Sequence, residues 1–191
     1  MRPALTRTAA IMPLVALALL GGCVSQTRYK NQVAATAAAQ SMNAQYAELN
    51  KQLSAEIADK QVTIQQLNDR LVVTLVDQVL FASGSAELHP KGRAVLDKAI
   101  PTLAAQSGKW IIIEGHTDNE PIGPSIIGRF PTNWDLSTAR ATSVVKYLQD
   151  KGVPPVNLAA TGYSQYQPVK PNSTAAGRQA NRRIEIILRM K

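Results

Sequence analysis

Residues 25–70 contain neither Gly nor Pro, and no other feature constrains the architecture of this chain as strongly. A stretch without those two breakers, rich in Ala, Gln, Leu, Lys and Glu, reads as helix. Apolar or permissive positions at Tyr46, Leu49, Leu53, Ile57, Lys60, Ile64, Leu67 and Leu71 advance in steps of three or four. That is helical spacing with one stutter and one lysine on the seam. The pattern predicts a stalk over residues 23–70; a continuous helix of about 46 residues would reach about 70 Å. Two readings of its stripe stay open. One is a coiled coil that joins copies of the chain into a homo-oligomer; the other is a single amphipathic spacer helix.

The segment ahead of the stalk reads as an address. Arg2 and Arg7 precede an apolar run over residues 9–20 that only Pro13 interrupts. A basic head, a short apolar stretch and small residues form the pattern of a secretory signal. The run is shorter than the roughly 20 residues a membrane span needs. It ends in Leu20-Gly21-Gly22-Cys23, and Cys23 is the only cysteine of the chain. A lone cysteine excludes an internal disulfide framework and a multi-cysteine zinc site. Leu-Gly-Gly-Cys resembles the lipobox of bacterial lipoproteins, with Gly21 where that motif usually carries Ala or Ser. The resemblance implies a signal peptide of residues 1–22, cut before Cys23, whose sulfur carries a diacylglycerol. Val24, where an inner-membrane lipoprotein would usually have Asp, implies the outer membrane. Acyl chains contribute about 0.8 kcal/mol per buried CH₂, enough together to hold a domain on a bilayer.

Charge does not name a partner. The formal net charge is +8 and the pI about 9.8. Residues 24–70 carry five basic and four acidic groups, and residues 71–191 carry fourteen and nine. No block of basic residues stands out, so a nucleic-acid partner is not expected.

Residues 71–191 read as one α/β domain with a mixed sheet and helices on one face. Strands are expected at 71–81, 110–114, 158–162 and 184–190, the second buried on both faces. Ser83-Gly84-Ser85 closes the first. A helix is expected over 90–105, kinked or ended early by Pro101. A second helix, over 136–151, is closed by Gly152 and Pro154.

Polar residues gather in two places, residues 114–120 after the second strand and 133–140 at the next helix start. A strand end followed by a helix N-terminus is where α/β folds bind ligands, and the helix dipole there favours an anion such as a carboxylate. Arg140 could grip that carboxylate with its planar fork, and Asp118 could meet an ammonium. Together they suit a zwitterion. The alternative is that Asp118 and Arg140 pair with each other and tie loop to helix. Catalysis is not expected: the serines lack a nucleophile elbow, and no phosphate-cradling Gly loop is present. No cofactor and no metal is expected either, because His116 and Asp118 lack a third ligand and His116 suits a hydrogen bond within the strand-end turn.

Gly115-His116-Thr117-Asp118, residues 133–141 (Asn-Trp-Asp-Leu-Ser-Thr-Ala-Arg-Ala), Gly162-Tyr163 and residues 177–184 (Gly-Arg-Gln-Ala-Asn-Arg-Arg-Ile) resemble the OmpA-like (OmpA/MotB/Pal) peptidoglycan-binding domain. The resemblance covers roughly residues 70–190. It implies an α+β sandwich fold and a non-catalytic module that holds peptidoglycan through the diaminopimelate of its stem peptide, whose head group is a zwitterion. The matching positions are Asp118 for the ammonium and Arg140 for the carboxylate. Thr117, Asn133 and Arg182 would support them, and the Phe81-Ala82 turn would offer backbone contacts. With Cys23, the stalk and the Asp118/Arg140 pair taken together, the expected protein is a lipoprotein tethering the outer membrane to the wall, with the domain in the periplasm. Residues 119–132 form a longer loop than many outer-membrane members carry and resemble the flagellar stator B-subunit version. Ile126, Ile127 and Phe130 in that loop suit either a protein partner or a fold over their own domain. The alternative function is thus a wall-anchoring accessory of a flagellar motor or secretion machine. A proton-driven stator would need a full span with an ionisable residue, which residues 9–22 do not supply.

Overall fold

The structure, a computed structural model, describes residues 26–191; the expected signal segment and Cys23 lie outside the described residues. The chain divides into two units, Met1–Thr36 and Ala37–Lys191. In the first, residues 26–36 are exposed helix. They open helix α1 (Gln26–Gln52), and a short helix α2 (Ser54–Ala58) follows it. Among the described residues no helix is long and apolar enough to cross a membrane.

The helical expectation for 25–70 fails after Ala58. Lys60 adopts a left-handed backbone, φ 57°, which stops the helix. The chain then runs as strand β1 (Val62–Gln66) and turns directly into β2 (Arg70–Val76), its antiparallel partner. Val62, Thr63 and Ile64 are β-branched and favour the pleat, but their spacing also fits the helical stripe. That stripe is divided in the structure. Leu49 and Leu53 are buried in the hydrophobic core of the second unit with Ile57 packed beside them, so they are not available as a seam between chains.

Four further elements extend the sheet and its cover. They are α4 (Pro90–Ala104), β3 (Lys109–His116), α5 (Asn133–Asp150) and β4 (Leu158–Gly162). A single helical turn, α3 (Asp77–Leu80), precedes them, and α6 (Ala175–Asn181) and β5 (Arg183–Met190) follow. The strands lie in the order β1-β2-β5-β3-β4, antiparallel except for the β3–β4 pair. This is the mixed sheet expected from the sequence. Leu71, Val73 and Leu75 of β2, Ile111 and Ile113 of β3, and Ile184, Ile186 and Leu188 of β5 point to one face. There they meet Val95, Leu96 and Leu103 of α4 and Val144 and Leu148 of α5. Among the described residues no helix covers the opposite face. Trp110 and Ile112 are accordingly half-buried, and β3 is not enclosed on both sides. Pro101 lies inside α4, which ends one turn later at Ala104.

The expected strand over 71–81 is shorter than its apolar run. It stops at Val76, and Asp77 starts the turn α3, with its N–H donating to the Arg182 carbonyl at 3.0 Å. A buried carboxylate needs a charged partner, and this turn carries Asp77 to one.

Two glycines let α5 approach the sheet. A Cβ on Gly115 would collide with the Ser137 carbonyl, and one on Gly162 with Thr138. This approach seats the start of α5 over the ends of β3 and β4. Gly115→Ala is therefore expected to destabilise the full chain by about 1–3 kcal/mol in denaturant unfolding. Gly128→Ala, where an added Cβ meets nothing within 4 Å, should leave stability within about 0.5 kcal/mol.

Candidate functional site

The ends of β2, β3 and α6 converge with α5 on a cleft of about 480 Å³, lined by Asp77, Thr117, Asp118, Asn133, Arg140 and Arg182 among others. Its floor holds four charges in two ion pairs. Arg140 Nη1 lies 2.9 Å from Asp77 Oδ1, with both side chains about 5% exposed. The contact is coulombic, for Asp77 Oδ1 is buried without a donor aligned to it. Arg140 is held from two other sides: its Nε donates to the Ser85 carbonyl at 2.8 Å, and its guanidinium lies 5.3 Å from the Phe81 ring centre. Asp118 pairs with Arg182 Nη1. The Asp118 side chain is 7% exposed and that of Arg182 is 31% exposed, so this outer pair is the one that solvent reaches. The other Asp118 oxygen accepts the Glu120 N–H at 3.1 Å.

The sequence-based alternative of a direct Asp118–Arg140 pair is therefore not what forms. Arg140 is occupied by Asp77, a residue that the apolar run of the sequence places inside a strand. One signal could have found it: a lone carboxylate within an apolar run has to be paired once that run is buried.

The remaining expected residues fall around this floor. Thr117 is buried, and its hydroxyl donates to the Asp118 carbonyl at 2.9 Å. Its N–H donates to Ser164 O, while Ser164 N–H donates to Ser137 Oγ, so backbone and hydroxyl bonds lock the strand end to α5. Asn133 Nδ2 donates to the carbonyls of Asp118 and Glu120 at 3.4 and 3.0 Å. Asn133 thus fixes the loop that carries Asp118. Phe81 contributes its buried ring, and Ala82 is exposed at the turn above it. The start of α5 already has its anion: Asp135 and Thr132 form a reciprocal capping box, which satisfies donors that an external carboxylate would otherwise meet. The loop over 119–132 folds onto its own domain, where Phe130 is buried with Ala86 and Leu136 and Ile122 and Ile126 pack beside them. Ile127 stays half-exposed. Arg178 Nε reaches Glu120 at 3.1 Å and adds a rim pair.

Electrostatics distinguish the two pairs. Burial raises the Asp77 pKa from 3.8 to about 6, although Arg140 and Arg182 pull it down. Burial also lowers the Arg140 pKa, which Asp77 partly restores. The cluster sums to zero charge when all four groups are ionised. It can therefore take a neutral zwitterion by exchanging partners, ammonium to carboxylate and carboxylate to guanidinium, without burying net charge.

Comparison with known proteins gives this cleft a family. The family model described as the OmpA family matches residues 80–182. The chain belongs to the OmpA family. Motility protein B of Bacillus subtilis is 32% identical over 145 residues, covering 73% of this chain and 54% of that protein. Outer-membrane lipoprotein YfiB of Pseudomonas aeruginosa is 36% identical over 111 residues, covering 58% and 62%. The chain thus spans between half and two thirds of these relatives. Among solved structures, the cell wall anchor of the T6SS from Pseudomonas aeruginosa superposes with a TM-score of 0.68 at 34% identity, covering 75% of this chain and 97% of that one. The cleft lies within the matched OmpA segment apart from Asp77 and Gln78, which precede it.

The raised Asp77 pKa has a sign that can be tested. Between pH 3.8 and about 6 the folded state holds a proton that the unfolded chain has released. The stability Asp77 contributes through this proton is complete below that window and is lost as pH rises through about 6. Unfolding free energies of wild type and Asp77→Asn should therefore diverge on going from about pH 4 to pH 7. The change should be on the order of 2 kcal/mol against wild type. A difference that does not vary with pH would contradict the shift.

Proposed function

We propose that this OmpA-family chain is a non-catalytic lipoprotein that tethers the outer membrane to peptidoglycan by gripping the diaminopimelate of the stem peptide. The observation that supports it best is the neutral cluster of Asp77, Asp118, Arg140 and Arg182 on the cleft floor. The diaminopimelate side chain ends in an ammonium and a carboxylate on one carbon. Asp118 receives the ammonium after Arg182 swings off it, and the freed Arg182, with Arg140 behind it, receives the carboxylate. Thr117 and Asn133 hold the Asp118 loop in place for this exchange, and the Phe81-Ala82 turn borders the bound head group. The name of the T6SS structure, a cell wall anchor, supports wall binding, and that of YfiB, an outer-membrane lipoprotein, supports the anchor. In this reading Cys23 carries the lipid, residues 24–70 supply a spacer and the start of the folded unit, and the cleft works in the periplasm.

The test uses two walls that differ in one group. Peptidoglycan with lysine in place of diaminopimelate keeps the ammonium and lacks the carboxylate. The full chain should co-sediment with diaminopimelate sacculi and at least ~10-fold less with lysine sacculi, the size expected for one charged hydrogen-bonded contact. Asp118→Ala should lose binding to the first by a similar factor. Equal binding to both walls, or unimpaired binding by Asp118→Ala, would contradict the assignment. Mass spectrometry of the mature N-terminus should find an acylated Cys23; an unmodified thiol would remove the anchor.

A second reading has its own support in the names Motility protein B and the T6SS anchor. Here the wall grip serves a motor or secretion machine, and the protein partner meets the exposed surface around Ile127. Loss of motility or secretion on deleting the gene, with the wall binding of the protein intact, would favour it.

A further inference from the structure

A second groove lies apart from the charged cleft. It measures about 620 Å³, lies on the uncovered face of the sheet and shares no lining residue with that cleft. At one end it holds a square of four side chains. Glu114 and His116 project from β3, and Glu185 and Arg183 stand directly opposite them on β5. Two carboxylates facing each other across paired strands repel unless a cation lies close, and both are largely covered, with 17% of each side chain exposed. Arg183 supplies part of that cation. Its Nε donates to one oxygen of Glu185 at 2.6 Å, while its Nη1 is drawn off to the carbonyls of Gln167 and Asn181. Glu185 keeps its second oxygen, and Glu114 has only a 3.5 Å contact from the Tyr163 hydroxyl.

His116 is the anomaly that gives this square a meaning. It is 3% exposed, and neither ring nitrogen has a hydrogen-bond partner. The hydrogen bond expected for it within the strand-end turn does not form. Tyr163 stacks on the imidazole with ring centres 5.3 Å apart and holds its plane. Nε2 faces Glu114 Oε2 at 3.9 Å, too far for a hydrogen bond. A buried imidazole with no partner calls for an ion or water that completes it. One ligand atom each from Glu114, His116 and Glu185 lies within 4.8 Å of the others.

We propose that Glu114, His116 and Glu185 form a binding site for a borderline divalent cation of the zinc class, separate from the zwitterion cleft. One imidazole nitrogen and two carboxylate oxygens are a ligand set that zinc accepts, with water from the groove in the fourth position. Bonds of about 2.1 Å require the ligand atoms to draw together, which the two glutamate tips can do by rotation. Arg183 and, more distantly, Arg70 oppose the incoming charge and limit affinity. The third ligand was hidden in the sequence because Glu185 lies on a different strand from Glu114 and His116 and meets them only through the β3–β5 register.

The chain has two histidines, and the other, His89, caps α4 by accepting the Gly92 N–H, which makes the test clean. The full chain, stripped with chelator, is titrated with Zn²⁺ alone and followed by calorimetry, thermal unfolding and the ring-nitrogen NMR signals of both histidines. One Zn²⁺ per chain, a Tm rise of roughly 3–6 °C at tenfold saturation and movement of the His116 signal are expected. Glu114→Gln and Glu185→Gln, which keep the size of each groove-lining side chain, should each weaken binding at least ~10-fold while remaining folded. No binding at about 100 μM Zn²⁺, binding unchanged by both substitutions, or movement of the His89 signal alone would overturn the site. Sedimentation with peptidoglycan should not depend on Zn²⁺, so this site and the wall-binding reading fail independently.

Discussion

Strand β5, the last in chain order, lies at the centre of the sheet, hydrogen-bonded to β2 on one side and β3 on the other. Nearly everything else depends on that placement. Ile184, Ile186 and Leu188 form the middle of the core, so neither the β1–β2 hairpin nor the β3–α5–β4 unit can close its apolar face without them. Every pairing that β5 makes is distant in sequence, which raises the loop-closure cost of assembly. The same placement delivers Arg182 and Arg183, consecutive residues on opposite sides of the backbone, to two separate clusters. Arg182 reaches Asp118 in the cleft, and Arg183 reaches Glu185 on the open face.

The cleft is best understood as a charge balance held slightly open. Its inner pair, Asp77 and Arg140, is nearly inaccessible, whereas the outer pair exposes nearly a third of Arg182. Breaking a buried pair by removing one partner is costly, but exchanging both partners for a zwitterion of the same net charge leaves each group satisfied. Asp77 holds Arg140 in place, and its raised pKa reflects how little water reaches it. The close approach of α5 at Gly115 and Gly162 fixes where Arg140 emerges. In this account the grip is built from backbone constraints, and the charged side chains complete it.

Much of this was legible in the sequence, for identifiable reasons. The apolar alternation of residues 184–190 and the capped periodicity of 136–151 are local patterns, and both elements form nearly where expected. Thr117 and Asp118 of the GHTD motif and Asn133, Leu136 and Arg140 of the NWDLSTARA motif line one cleft, whereas His116 lines the groove on the other face. Three features were not legible. Val62 to Gln66 carries a spacing that fits helix and strand equally, and only pairing with β2 decides it. Asp77 looked like one polar residue in a strand until β2 ended beside Arg140. The Glu114–Glu185 pair exists only through the register of two strands far apart in sequence. Local periodicity is written in neighbouring residues, whereas ion pairs and ligand sets depend on which strands become neighbours.

The central claim is that Asp118 and Arg182 part from each other to receive a zwitterion, with Arg140 completing the grip. NMR observation of the arginine Nε–H signals and the aspartate carboxyl carbons, during titration of the full chain with a diaminopimelate-containing stem peptide, tests it directly. The account predicts that Arg182, Arg140 and Asp118 shift together at one peptide per chain, while Arg183 and Glu185 on the far face stay in place. Saturable binding that leaves the Asp118 and Arg182 signals unmoved would contradict it.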